Sequence, residues 1–303
     1  MLRLLFLFLS RQRWLRRWME TSRLAGRLTS RFVAGRELGD VLEASRQVEA
    51  SGLLATLDHL GENVTSAEEA RASREAMLEA LKSIAEKGLS ATISIKLTQF
   101  GLDLGDEACW ANVEPLVRRA AELGSRVEVD MEGSEYTGRT LALVERMQGL
   151  PGPVRAVLQA YLHRCEEDVR RLNGLGIRVR LCKGAYKEAP EVAIQEHAAV
   201  GANYLKLAKL LLDEGVDPAF ATHDGALVAQ ILKHVRERGI GPERFEFQML
   251  YGIRRDLQQQ LAAEGWRVRL YIPYGDAWYP YFMRRMAERP ANAFFVVRNL
   301  FRT

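Results

Sequence analysis

Two adjacent arginines, Arg284 and Arg285, stand in the stretch YIPYGDAWYPYFMRRMAERPAN (271–292), directly after an apolar run. At 3.6 residues per turn, Tyr281, Arg284, Arg285 and Glu288 share one helical face, and Pro280 suits the first turn. Two guanidinium forks on one face can hold a planar carboxylate bidentately. The same face can equally be a solvated stripe, with Arg284 and Glu288 paired one turn apart. A second group of polar residues sits where short apolar runs end: Lys96, Asp130, Glu132, Gln159, Tyr161, Arg180, Lys183, His223, Asp224, Gln248 and Tyr271. In LCKGAYKEAP, Gly184 permits close backbone approach beside Lys183 and Lys187, as a pyrophosphate would require; a plain turn reads the same way. ATHDG adds Thr222 and His223, suited to a phosphate or a ring edge, or to a structural hydrogen bond.

The elements that must position these groups alternate regularly. Eight β-rich runs, at 53–59, 92–97, 126–132, 156–162, 178–183, 219–224, 245–250 and 267–274, are separated by amphipathic stretches. One of these, EVAIQEHAAVGANYLKLAKLLLDEG, ends at Gly215, a helix-stop signal. Strand alternating with helix predicts parallel βα units, and eight in about 250 residues is the size of a (βα)8 TIM-like barrel. The strand phases support closure. Val127, Val129 and Met131 oppose Glu128, Asp130 and Glu132; Phe245 and Phe247 oppose Glu246 and Gln248; Val268 and Leu270 oppose Arg269 and Tyr271. Strands of an open sheet covered on both faces are apolar on both sides, so the polar face here points into a lumen. An antiparallel sheet with one wet face would alternate too, but the long helical connections oppose it. The strand-end polar residues then gather at the C-terminal mouth, where barrel enzymes keep their active sites.

Composition narrows the function classes. The 303 residues are 48% hydrophobic and 27% charged, an ordinary globular balance. The net charge of +4 is uneven: residues 1–40 carry +6, leaving −2 for the remainder. The basic character belongs to an N-terminal arm, which argues against a nucleic-acid-binding body. That arm opens MLRLLFLFLSRQRWLRRW, too short in its apolar run to span a bilayer, and basic residues flank Trp14 and Trp18 as in an interfacial helix. Docking on the body or on a neighbouring subunit is the other reading. Cys109, Cys165 and Cys182 form neither a disulfide framework nor a zinc pattern, which fits a reducing cytoplasm, and no metal site is expected. There is no Walker sequence, G-x-G-x-x-G turn, nucleophile elbow or H-E-x-x-H. The expected organisation is a helical arm over 1–48 and one barrel domain over 49–303.

SIKLTQFGLD (94–103), VEVDMEGS (127–134), LQAYLHR (158–164), VRLCKGAYKE (179–188), ATHD (221–224), FEFQMLYG (245–252) and the stretch 271–292 together resemble the monofunctional proline dehydrogenase family. The resemblance runs in order through successive strand ends. It implies a distorted barrel whose last helix lies over the C-terminal mouth, turning Tyr281, Arg284 and Arg285 inward. It implies FAD as cofactor and oxidation of L-proline to 1-pyrroline-5-carboxylate by hydride transfer, with a membrane quinone as later electron acceptor. Lys96, Arg284 and Arg285 are implied for the proline carboxylate, Tyr271 and Tyr281 as walls for its ring, and Leu250 as an apolar contact. Arg180 is implied beside the flavin and Asp130 as an organising aspartate. Met131, Gln159, Lys183, Gly184, Ala185, Thr222, His223, Asp224 and Gln248 are implied as flavin contacts. Many relatives carry asparagine where this chain has Asp224. The chain lacks the length of the bifunctional relatives, so a separate dehydrogenase must consume the product, and no DNA-binding role is expected. A quinone acceptor gives the arm a use at the inner face of the membrane.

Two other readings rest on the residues alone. A strand-borne lysine beside a carboxylate, Lys96 here, is also the equipment of a Schiff-base aldolase. A non-catalytic membrane-associated scaffold would share the fold.

Overall fold

The computed structural model describes residues 30–61, 63–279 and 281–283, together with Gln12. Most of the expected arm, Trp14 and Trp18 included, lies outside the described residues.

Eight parallel strands close in sequence order. They are β1 (Leu54–His59), β2 (Thr92–Ile95), β3 (Val127–Val129), β4 (Val154–Gln159), β5 (Arg178–Cys182), β6 (Ala219–Ala221), β7 (Glu246–Leu250) and β8 (Val268–Tyr274). Pairing of β8 with β1, from Leu54 opposite Arg269 to His59 opposite Tyr274, seals the barrel. Seven strands lie within the expected runs, and β4 begins two residues before its run. Helix α1 (Leu38–Ala50) precedes β1, and α2 (Ala67–Glu86), α3 (Asp106–Glu122), α4 (Ser134–Gln148), α5 (Cys165–Gly174), α6 (His197–Glu214), α7 (Gly225–Arg238) and α8 (Arg255–Ala263) follow β1 to β7 in turn.

Local chemistry sets the helix starts. Ser66 accepts from the Glu69 amide at 3.2 Å to cap α2. Asp224 does the same for α7, accepting from Ala226 and Leu227. The helix expected to begin near Glu191 begins at His197 instead. Residues 190–192 form a turn, and the chain after them is held by the Ala193 bridge to Leu162 and by the Ile194 amide, which donates to the Tyr161 carbonyl at 2.8 Å.

The apolar strand faces meet the helices: Val127, Val129, Val179, Leu181 and Phe247 are all buried there. Helix α1 adds Val41, Leu42, Ala44 and Val48 to the same core. The divide expected at residue 48 falls inside this helix. A second cluster covers the mouth, where Phe32 and Val33 pack with Leu60, Trp278, Tyr281 and Phe282.

The lumen is filled by charge, where most barrels stack aliphatic layers. Arg155 on β4 is fully buried and donates to Glu128 on β3 at 3.0 Å and to Glu246 on β7. Arg269 donates to Glu246 at 2.9 Å, and Gln248 bridges Glu128 and Glu246 at 3.0 and 2.8 Å. Arg155 to Glu246 and Gln248 to Glu128 join non-adjacent strands across the lumen, as inward-pointing side chains can. Burial alone would raise the pKa of Glu128, but Arg155, Arg126 and Arg180 hold it well below the usual carboxylate range. No helix among the described residues is long and apolar enough to cross a membrane.

Candidate active site

A cavity of about 400 Å³ opens at the C-terminal ends of the strands. Its floor is Asp130, in the residue after β3. Across the lumen, Arg180 of β5 donates to Asp130 Oδ1 at 2.5 Å, and the Tyr271 hydroxyl of β8 donates to Oδ2 at 2.6 Å. Lys96 Nζ, at the end of β2, lies 3.6 Å from the same carboxylate and 2.9 Å from Asp58 on β1. One aspartate thus ties three strands' donors into a fixed array. The Arg180 guanidinium also sits 5.1 Å from the Tyr271 ring centroid, a cation–π approach.

Electrostatics keep these groups in defined charge states. Burial works against the Arg180 charge, yet Asp130 and Glu128 raise its pKa above the ordinary arginine value. Burial raises Tyr271 well above the ordinary phenol value, and Asp130 and Asp58 add to it, so its hydroxyl stays a donor.

The opposite wall comes from the β4, β5, β6 and β7 ends. Gly184 has φ +116°, and a Cβ there would meet the Tyr161 ring at 2.3 Å, so only glycine fits this turn. The Leu250 amide donates to His223 Nε2 at 2.9 Å. That nitrogen is therefore an acceptor, and a neutral ring must carry its proton on Nδ1. Gln159 donates to the Glu132 carbonyl at 2.9 Å, fixing its amide orientation. Lys183 pairs with Asp224 at 2.9 Å at the rim, and that contact heads the causes that hold the Asp224 carboxyl below its usual range.

The structure brings together nearly all of the residues singled out from the sequence. Lys96, Asp130, Met131, Gln159, Arg180, Lys183, Gly184, Ala185, Thr222, His223, Gln248, Leu250, Tyr271 and Tyr281 all line the cavity. Asp224 stands one contact away, as helix cap and partner of Lys183. Tyr281 reaches the cavity from the helical turn after Trp278. Arg284, Arg285 and Glu288 lie outside the described residues.

Among the lining residues that the sequence reading did not single out are Asp58 and Tyr186. Asp58 is 1% exposed and holds Lys96 directly. It is the penultimate residue of the first strand, in the inward phase with Leu54 and Thr56. Tyr186 also lines the cavity, from the loop after β5, where no periodicity marks a position. Its near neighbour Glu188 anchors that loop by accepting from the Ser134 amide and hydroxyl at 2.8 and 2.6 Å.

Lys96, the lysine an aldolase would use, is tied to Asp58 at 2.9 Å and lies 3.6 Å from Asp130.

The family model described as Proline dehydrogenase matches residues 41–298. Proline dehydrogenase 1 of Bacillus subtilis (strain 168) is 40% identical, over 99% of each chain. Proline dehydrogenase of Deinococcus radiodurans is 38% identical, over 90% of each. Among solved structures, proline utilization A (PutA) from Bdellovibrio bacteriovorus, inactivated by N-propargylglycine, superposes with a TM-score of 0.81 at 26% identity. That match covers 87% of this chain and only 33% of the longer PutA chain.

Proposed function

The chain belongs to the proline dehydrogenase family, and from that premise we propose that it oxidises L-proline to 1-pyrroline-5-carboxylate in the cavity at the strand ends. The observation that carries this reading is the array on Asp130: a lysine, an arginine and a tyrosine held at fixed positions around one small cavity.

Lys96 offers its ammonium to the substrate carboxylate, with Arg284 and Arg285 as the further cations of the clamp. Multiple cations around one carboxylate fix the orientation of a small rigid ring. Tyr271 and Tyr281 wall the pyrrolidine, and Leu250 adds an apolar contact. Asp130 holds Lys96, Arg180 and Tyr271 in register, so none has to reorganise when substrate arrives.

The facing wall suits FAD. Gly184 leaves room where a Cβ would intrude, His223 presents Nδ1–H as a donor, and Lys183, held by Asp224, supplies a cation at the rim. Met131, Gln159, Ala185, Thr222 and Gln248 complete that wall. Bound there, FAD supplies the acceptor for the hydride leaving C5 of proline. Arg180 places a permanent cation where reduction accumulates negative charge. We assign the onward electrons to a membrane quinone, which gives the basic, tryptophan-bearing arm a role at the inner face of the cell membrane. The cyclic imine product hydrolyses to an aldehyde that a separate dehydrogenase oxidises.

The test is proline-dependent quinone reduction by the purified yellow protein. Lys96→Met should raise KM by about a hundredfold with flavin content kept. A flavin-loaded protein that turns over no proline overturns the reading.

A further inference from the structure

Proline meets the site as an ammonium, and C5 can release a hydride only after the ring nitrogen has lost its extra proton. Two carboxylates line the cavity among the described residues, Asp58 and Asp130. Asp130 is saturated: Oδ1 accepts from Arg180 at 2.5 Å, and Oδ2 from Tyr271 at 2.6 Å with Lys96 3.6 Å away. Both Asp130 oxygens are therefore already engaged. Asp58 differs. Its Oδ1 accepts from Lys96 at 2.9 Å, while its buried Oδ2 accepts no hydrogen bond among the described residues. A buried acceptor without a partner is costly to keep, and each such group in a folded protein calls for a reason.

Resting on the reading that this chain oxidises proline, we propose that Asp58 is the final acceptor of the substrate's amine proton, reached through Lys96. Lys96 Nζ passes a proton along its 2.9 Å hydrogen bond to Oδ1 of Asp58, the carboxylate whose other oxygen accepts nothing among the described residues, and the amine so formed takes the proton from the substrate nitrogen. One N–H bond breaks at the substrate and one O–H bond forms at Asp58. Lys96 ends as the ammonium it was, and no electrons move. Asp58 is 1% exposed and so does not take the proton from substrate directly; it acts through Lys96 as a positioning residue.

The surroundings suit this transfer. Asp58 is faced by Lys96 and Ser94 from β2, by Asp130 with its partner Arg180 from β3 and β5, and by Tyr271 and Tyr274 from β8. His59 stands beside it on β1; burial lowers its pKa, which keeps the ring neutral at neutral pH. Among the described residues, Lys96 and Arg180 therefore balance Asp58 and Asp130. A zwitterion enters this set without net charge change, and the relay leaves the total unaltered.

The test is the pH dependence of flavin bleaching, followed by stopped flow on the holoenzyme at saturating L-proline. Wild-type protein should hold its rate across the neutral range. Asp58→Asn should lose about a hundredfold near neutrality and regain about tenfold per pH unit upward, since only substrate already deprotonated in water can then react. Lys96→Arg should show the same alkaline dependence, because a guanidinium does not hand on its proton. Calorimetry on dithionite-reduced protein should give proline affinity independent of pH in the wild type and rising with pH in Asp58→Asn. A wild-type pH profile in either variant, including one lowered uniformly at every pH, overturns the relay. Failure of the wild-type protein to bleach at all would instead overturn the proposed function.

Discussion

Asp130 and Arg180 meet at 2.5 Å across the lumen, the one following β3 and the other within β5. The pair joins the cavity above to the charged interior below, because Arg180 also donates to Gln248 at 3.2 Å and Gln248 donates to Glu128. Removing the carboxylate charge should loosen Lys96, Arg180 and Tyr271 together. Asp130→Asn is expected to lower kcat/KM for proline by about a hundredfold to a thousandfold, roughly 3–4 kcal/mol of transition-state stabilisation. Steady-state kinetics with flavin content as control checks this.

The clamp can be separated from the cofactor wall. Arg285→Met should raise the proline KM sharply, by about a hundredfold, while flavin content stays near normal. Absorbance ratios on the purified variant decide it, since loss of flavin would assign Arg285 to the cofactor instead.

Gly184→Ala should fail in a different manner. The left-handed φ of +116° and the Tyr161 ring at 2.3 Å both oppose a Cβ. Strain of about 1 kcal/mol or more at this turn should show as lowered flavin occupancy in a folded protein. Adding Tyr161→Ala should recover only part of the occupancy, because it removes the clash and leaves the strained φ. Flavin released by denaturation measures both.

The fold was legible because each strand separates its faces. Val127 and Val129 go out to the helices while Glu128 and Asp130 go in, and that alternation marks the lumen without any knowledge of the closing pair. Asp58 was harder to see. The run LLATLDH begins with two leucines, so its inward phase of Leu54, Thr56 and Asp58 is blurred in the sequence. Arg155 was missed because β4 begins at Val154, two residues before the expected run. A shift of two preserves the inward face, which is why Gln159 was still placed correctly. The late start of α6 follows the Leu162–Ala193 bridge, a contact between loops that no local pattern encodes.

The buried charge network should set the acid limit of the fold. Burial alone would raise the pKa values of Glu128 and Glu246, but their arginine partners overcome it and hold both below the usual range. A carboxylate depressed in the folded state contributes stability above its unfolded value, near pH 4.3, and loses it as pH falls through the folded one. Urea midpoints should therefore stay level from neutral pH to about pH 5 and drop steeply below about pH 4. Arg155→Met, which takes one buried cation from both glutamates while Arg126 and Arg269 remain, should cost about 3 kcal/mol at neutral pH. Urea unfolding followed by circular dichroism tests both statements.

The most direct measurement is anaerobic addition of L-proline to the purified protein while its visible absorption is recorded. The expected result is a yellow protein that bleaches with about one proline per bound flavin, releasing the cyclic imine. A colourless protein that borohydride traps on Lys96, or a yellow one indifferent to proline, would contradict the account at its centre.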